Sequence, residues 1–284
     1  MQQLHVGSGT NRGALSVFPV WGEVEIERDY TTAAAAAAVR EKPSPEVSTL
    51  MVGNSADHPL LLLEGRLLEG GMQNRMVARS VVVPSRVEVP VDVVCVEQGR
   101  WSGERRHTDF ARRATTRVQA GLRAGADRQR EVWSRVSEYD ARYGPNATSS
   151  FTEHANRAAG DVAPMMRGLR PFPAQIGVVV AISGHPVSAE VFDCPETFAE
   201  QFESIVRAAA MDAVGRRAEV TPSRRARSFV DRASAVDVHG NGAAGAGRTF
   251  VGTSEHASIT QLRWHDRDVH TSLLNPRHEL VGAV

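Results

Sequence analysis

Three β-type runs crowd into residues 59–96, and only Pro84-Ser85-Arg86 separates the second of them, 76–83, from the third, 87–96. A connection that short cannot carry a crossover between parallel strands, so the two runs read as an antiparallel hairpin. With 59–63 beside them, the three form a meander. No other feature of the chain restricts its fold as much.

The rest of the sequence extends the pattern. Residues 15–21 alternate apolar side chains with β-formers and read as a first strand. Thr31 and Thr32 precede the alanines 33–38, which predict a helix ended by Pro43 and Pro45, and 47–52 is another strand. From 108 to 143 the period turns helical, with Val132, Val136, Tyr139 and Tyr143 on one stripe until Gly144-Pro145-Asn146 stops it. Residues 144–173, rich in breakers and short side chains, read as a linker. A second hairpin joins 176–182 to 187–192 through Ser183-Gly184-His185. Asp193 then serves as N-cap of a helix, with Pro195 and Glu196 in its first turn and Phe198, Phe202, Ile205, Val206 and Ala209 on its buried face. That helix is expected to lie across the hairpin. After a polar stretch with Arg224, Arg225 and Arg227 come strands 249–252, 257–264 and 269–274, the last two joined by a turn at 265–268. Strands outnumber helices without βαβ alternation, so the fold class is α+β with largely antiparallel sheets.

Lys plus Arg and Asp plus Glu both total 33 over 284 residues, which excludes a nucleic-acid protein driven by bulk charge. Lys42 is the only lysine, an arginine bias of the kind GC-rich coding produces. Two cysteines, Cys95 and Cys194, are too few for a disulfide framework. Residues 1–13 contain no apolar h-region, and the longest apolar stretch falls far short of the ~18 residues of a membrane helix. A cytoplasmic protein is expected, with no membrane or nucleic-acid partner.

In the meander, one edge of the sheet gathers Glu64, Gln73-Asn74-Arg75 and Glu97-Gln98-Gly99-Arg100-Trp101. A turn at 84–86 pairs Val82 with Val89 and, stepping outward, Ser80 with Val91, Ala78 with Val93 and Met76 with Cys95, all apolar or small. The opposite face then sets Arg79 against Asp92, a cross-strand pair of opposite charge. One step further, Asn74 faces Glu97 at the rim of the apolar face. There a carboxylate is partly desolvated and its pKa is raised unless Arg75 or Arg100 compensates it. Such a group is a candidate general base. The same residues also read as an ion-pair network closing the sheet end, and Trp101 as a packed core-edge tryptophan.

Other signals are weaker. Gly240-Asn241-Gly242-Ala243-Ala244-Gly245 matches a dinucleotide-loop spacing, but Arg248-Thr249-Phe250-Val251 reads as strand where that loop needs a helix. His265, Asp266, Asp268 and His270 have ligand chemistry but no second cluster to complete a metal site, so no metal is assigned. The arginine pairs at 105–106, 112–113 and 224–225 are interspersed with acids and read as solvated helix faces.

Taken together, Leu60-Leu61-Leu62-Leu63-Glu64-Gly65, Gly70-Gly71-Met72-Gln73-Asn74-Arg75 and Cys95-Val96-Glu97-Gln98-Gly99-Arg100-Trp101 resemble the family of ARG and Rhodanese-Phosphatase-superfamily-associated protein domains. Supporting matches are residues 11–19, 177–181 with 191–193, and 269–273. This coverage implies one integrated domain over 1–284, with a candidate sub-boundary in 144–173. The family is named for association with ADP-ribosylglycohydrolase and phosphatase-type proteins. The resemblance therefore implies a role near NAD or ADP-ribose metabolism and no established catalytic activity. Met72 departs from the family pattern, where this place is often basic.

The resulting expectation is a protein that binds, and in a further step processes, an ADP-ribose-like or NAD-derived phosphorylated nucleotide. Arg75 and Arg100 would engage phosphate. Gln73, Asn74 and Glu97 would take ribose hydroxyls or a reacting water, Trp101 the base or the pocket wall, and Glu64 is a further ligand-binding candidate. No cofactor is expected. The alternative is a non-enzymatic regulatory partner of an ADP-ribose- or NAD-linked enzyme, its polar cluster structural.

Overall fold

The computed structural model describes residues 3–24, 27–109 and 111–282. The chain forms two compact units. Residues up to Arg28, Asp161–Ala243 and residues from Gly247 onward make a sheet unit, and Asp29–Gly160 with Ala244–Ala246 makes a barrel unit. The first segment supplies β1 (Leu4–Val6), β2 (Thr10–Arg12) and β3 (Leu15–Gly22). The middle of the chain supplies β4 (Ala37–Glu46), β5 (Thr49–Asn54), β6 (Leu60–Leu62), β7 (Leu67–Gly70), β8 (Arg75–Val77), β9 (Val81–Val83), β10 (Glu88–Cys95) and β11 (Arg106–Asp109). Helices α1 (Thr116–Ala120), α2 (Arg128–Ser137), α3 (Asp140–Tyr143) and α4 (Phe151–Met166) follow. The last part contains β12 (Gly177–Ile182), β13 (His185–Phe192), α5 (Pro195–Ala213), α6 (Ser223–Ser234), β14 (His239–Ala244), β15 (Gly247–Thr253), β16 (Ser258–Trp264) and β17 (Arg267–Leu274). The fold is α+β, and its paired strands run antiparallel, as the hairpin pattern predicts.

In the sheet unit the strand order is β1-β3-β12-β13-β17-β16-β15-β14, with β2 on β3. Every residue of β12 is buried because helices cover both faces. Val179 and Ala181 share a core with Ala226, Phe229, Val230 and Ala233 of α6. Val178 and Val180 point the other way, as alternation along a strand requires, toward α5, which contacts β3, β12 and β13. The buried face of α5 is the expected one, but its N-cap is Cys194 rather than Asp193. The arginine-rich stretch is helix α6: Ala226, Phe229, Val230 and Ala233 form a buried stripe narrow enough for the arginines to mask it in sequence. The glycines at 240–245 lie in and after strand β14, and no helix opens there.

In the barrel unit, β10-β5-β4-β11-β7-β8 close into a barrel, and β6 pairs with β9 alone. Three expectations are corrected here. The alanine run gives only a single 3-10 turn at Ala34–Ala36 and then strand β4. A six-alanine run is too short to sustain a helix, and Val39 and Glu41, alternating inward, gain partners on β5 and β11 instead. The helical span 108–143, in which residue 110 lies outside the described residues, is broken into a strand end and three helices. Gly121 sits at one break, where a Cβ would lie 2.9 Å from the Val132 side chain. The linker 144–173 contains the 16-residue helix α4, whose buried Phe151, His154, Ala158 and Val162 form a stripe diluted by small residues.

The hairpin 76–83/87–96 exists in altered form. Its first run splits, so that β9 turns away to β6 while β8 stays on β10. The register is therefore not set by the turn at 84–86, and it differs by one residue: Arg75 faces Cys95 and Val77 faces Val93. Such a slip exchanges faces. Arg75, not Met76, joins the face shared with Cys95.

Candidate functional site

Two turns carry the motif residues, Gly70–Arg75 and Glu97–Trp101, and hydrogen bonds lock one to the other. Glu97 Oε2 accepts from the Asn74 backbone N–H at 2.9 Å and from Arg100 Nη2 at 2.7 Å, and Oε1 accepts from the Thr148 hydroxyl at 2.8 Å. Gln73 Nε2 donates to the Glu97 carbonyl at 3.0 Å. Asn74 Oδ1 accepts from Gly70 N–H, and its Nδ2 reaches Thr152 Oγ1 at 3.0 Å. Arg100 Nη1 donates to the carbonyls of Gly71 and Ser102 at 2.7 and 2.9 Å. Burial alone raises the Glu97 carboxyl, but the Arg100 contact, the Asn74 N–H and the Thr148 hydroxyl outweigh it and hold the pKa below the ordinary value. Both oxygens are engaged and the anion is favoured, the pattern of an ion pair that closes the sheet end rather than of a poised base.

The clasp aims Arg75 into the barrel. Ladder pairing places Arg75 opposite both Cys95 and Leu68, His107 opposite Gly70 and Val39, and Glu41 opposite Leu50, so these residues share the inward face. Arg75, Glu41 and His107 are all buried. Glu41 Oε1 lies 3.9 Å from Arg75 Nη2 and 3.5 Å from His107 Nε2. Arg75 Nη1 is held by Gln73 Oε1 at 2.8 Å. His107 Nδ1 lies 3.0 Å from the Leu68 carbonyl. A carbonyl only accepts, so Nδ1 carries the proton and Nε2 faces the carboxylate. Gly71 makes room for that ring: its φ is +58°, and a Cβ there would fall 2.3 Å from Nε2.

Among the described residues, Arg75 Nε and Nη2, both Glu41 oxygens and His107 Nε2 have no hydrogen-bond partner, five buried polar atoms converging on one place. Leaving such atoms unpaired costs free energy that an apolar core would avoid, which makes the cluster a candidate site. Burial pulls the Arg75 pKa down, against the opposing pull of Cys95 and Glu41, and burial pushes the Cys95 thiol up. Trp101 is 46% exposed, and its ring centroid is 5.4 Å from the Arg75 guanidinium carbon. It covers the arginine as an exposed aromatic face.

Of the residues singled out in sequence, Gln73, Asn74, Arg75, Glu97, Arg100 and Trp101 come together. Glu64 does not; its carboxylate accepts from Arg123 at 2.6 Å. Asp268 pairs with Arg263 and His270 with Glu190. Sequence reasoning missed Glu41 and His107. The alternation Val39-x-Glu41 could have shown the first as inward-facing, had the alanines before it not suggested a helix.

The sequence model of the family described as ARG and Rhodanese-Phosphatase-superfamily-associated Protein domain matches residues 3–274, and the chain belongs to that family. No match was found among curated proteins or among solved structures.

Proposed function

We propose that this family member binds an ADP-ribose-like or other NAD-derived phosphorylated nucleotide in its barrel unit. The observation that supports the reading is the set of five buried atoms of Arg75, Glu41 and His107 without a hydrogen bond, with the exposed ring of Trp101 against Arg75. That set mixes donors and acceptors. A ribose diol matches it, because each hydroxyl can donate to a carboxylate or imidazole nitrogen while accepting from a guanidinium N–H. Glu41 offsets the charge of Arg75, so the cluster suits hydroxyls better than a phosphate, and Trp101 offers a face for a base. Glu97 and Arg100 hold the two turns in place. The family name, which links its members to ARG and rhodanese-phosphatase proteins, is consistent with such a ligand.

Calorimetric titration with ADP-ribose, NAD and nicotinamide tests this. ADP-ribose should bind, and Trp101→Ala should weaken it about 10- to 100-fold, the loss expected for one stacked base. No heat with any of the three, together with a stable complex with a protein partner, would overturn the reading in favour of a regulatory subunit.

A further inference from the structure

The sheet unit contains a cleft of ≈ 740 Å³, within the size range of small-molecule sites. One wall is the face of α6 that carries Arg224, Arg225 and Arg232, and Arg277 lines the opposite side. Among the described residues none of these four arginines has a carboxylate partner. The one carboxylate lining the cleft among the described residues, Glu279, is bound by Arg216. In a chain whose charges cancel and whose arginines are mostly paired, this sorting of sign is a local field, which focuses anions.

The arrangement is more specific than a basic patch. Arg232 Nη1 and Arg277 Nη1 converge on one atom, His256 Nδ1, at 3.5 and 3.3 Å. Glu255 meets the other nitrogen of that ring at 2.9 Å and does not line the cleft. Two guanidinium groups brought to a single imidazole nitrogen repel each other, and an anion between them would relieve this. Some 10–12 Å away along the helix, at 1.5 Å per residue, Arg225 Nη1 is fixed by the Gly184 carbonyl at 2.6 Å. Phe229, Ile182 and Pro186 add apolar wall.

We propose that this cleft is a binding site for a phosphate-bearing small molecule of nucleotide size, its phosphates held by Arg232 and Arg277. The proposal does not rest on the site in the barrel unit. Calorimetric titration of the full chain with ADP, pyrophosphate and adenosine tests it. ADP and pyrophosphate should bind and adenosine should not, and the double variant Arg232→Gln/Arg277→Gln should bind ADP at least 30-fold more weakly with an unchanged melting temperature. Trp101→Ala should leave ADP binding within threefold of the native value. Absence of ADP and pyrophosphate binding, or unaltered binding by the arginine variant, overturns the proposal. So does a single-stranded oligonucleotide that binds tenfold tighter than ADP, which would make the cleft a nucleic-acid surface. Loss of ADP binding in Trp101→Ala alone would also overturn it, while leaving the barrel site standing.

Discussion

Substitution of Glu97 separates a structural clasp from a ligand-contacting carboxylate. In the native protein its two oxygens receive three hydrogen bonds, from a buried backbone N–H, a guanidinium and a hydroxyl. Glutamine can keep all three: its Oε1 can still accept from Asn74 and Arg100, and its amide can donate to the Thr148 hydroxyl, which also accepts. What it loses is the charge assistance at Arg100, about 1 kcal/mol. Alanine loses every contact and leaves the Asn74 N–H buried and unpaired, about 3 kcal/mol in total. At about 4 °C per kcal/mol for a unit of this size, Glu97→Gln should melt about 4 °C below the native protein and Glu97→Ala about 12 °C below it. Circular dichroism melts at pH 7 read both. If Glu97→Ala melts within about 2 °C of the native protein while ADP-ribose binding disappears, the clasp is refuted and Glu97 belongs to the ligand.

Other outcomes follow from the same geometry. Gly71→Ala should destabilise the barrel unit by about 2 kcal/mol or more, from its left-handed backbone and the clash with His107, as a lowered melting temperature shows. Glu41→Gln alone should cost about 3 kcal/mol in chemical denaturation, because it leaves Arg75 buried beside an uncharged group. His154 and His278 both have their pKa lowered from 6.5, chiefly by burial. The unfolded chain therefore takes up protons that the folded chain refuses, so stability is full above about pH 6.5 and falls as pH drops below it. Denaturant midpoints at pH 7.5 and 5.5 should show the decline, and His154→Gln should reduce it. Further acidification adds the loss from Glu97, whose lowered pKa stabilises the fold above 4.5 and ceases to do so as pH falls through the folded value.

The hairpins, the buried face of α5 and the gathering of residues 73–75 with 97–101 were legible because each rests on local spacing. The register of Arg75 was not. It depends on β9 leaving β10 for β6, a tertiary choice that no turn residue announces, and the resulting one-residue shift turns Arg75 from the outer face into the barrel. Glu41 was hidden for a related reason, since helix propensity of the alanines lost to pairing with β5. In α4 and α6 small residues and arginines thinned the apolar stripe below recognition, although burial shows it intact. The charge of Glu97 was read correctly only in its conditional form: Arg100 compensates it.

On the proposed reading, Arg75, Glu41 and His107 are kept buried and underpaired for a ligand. Replacing a buried ion pair with apolar side chains of similar size is neutral or stabilising by about 1–4 kcal/mol when the pair serves no other purpose. Titration of ADP-ribose into the Arg232→Gln/Arg277→Gln protein, which silences the cleft of the sheet unit, and into the same protein carrying Glu41→Leu/Arg75→Met as well, both shown folded by thermal melts, is the direct test. Binding by the first protein and none by an equally stable second one is the predicted result. Equal affinity in the two proteins would contradict the claim.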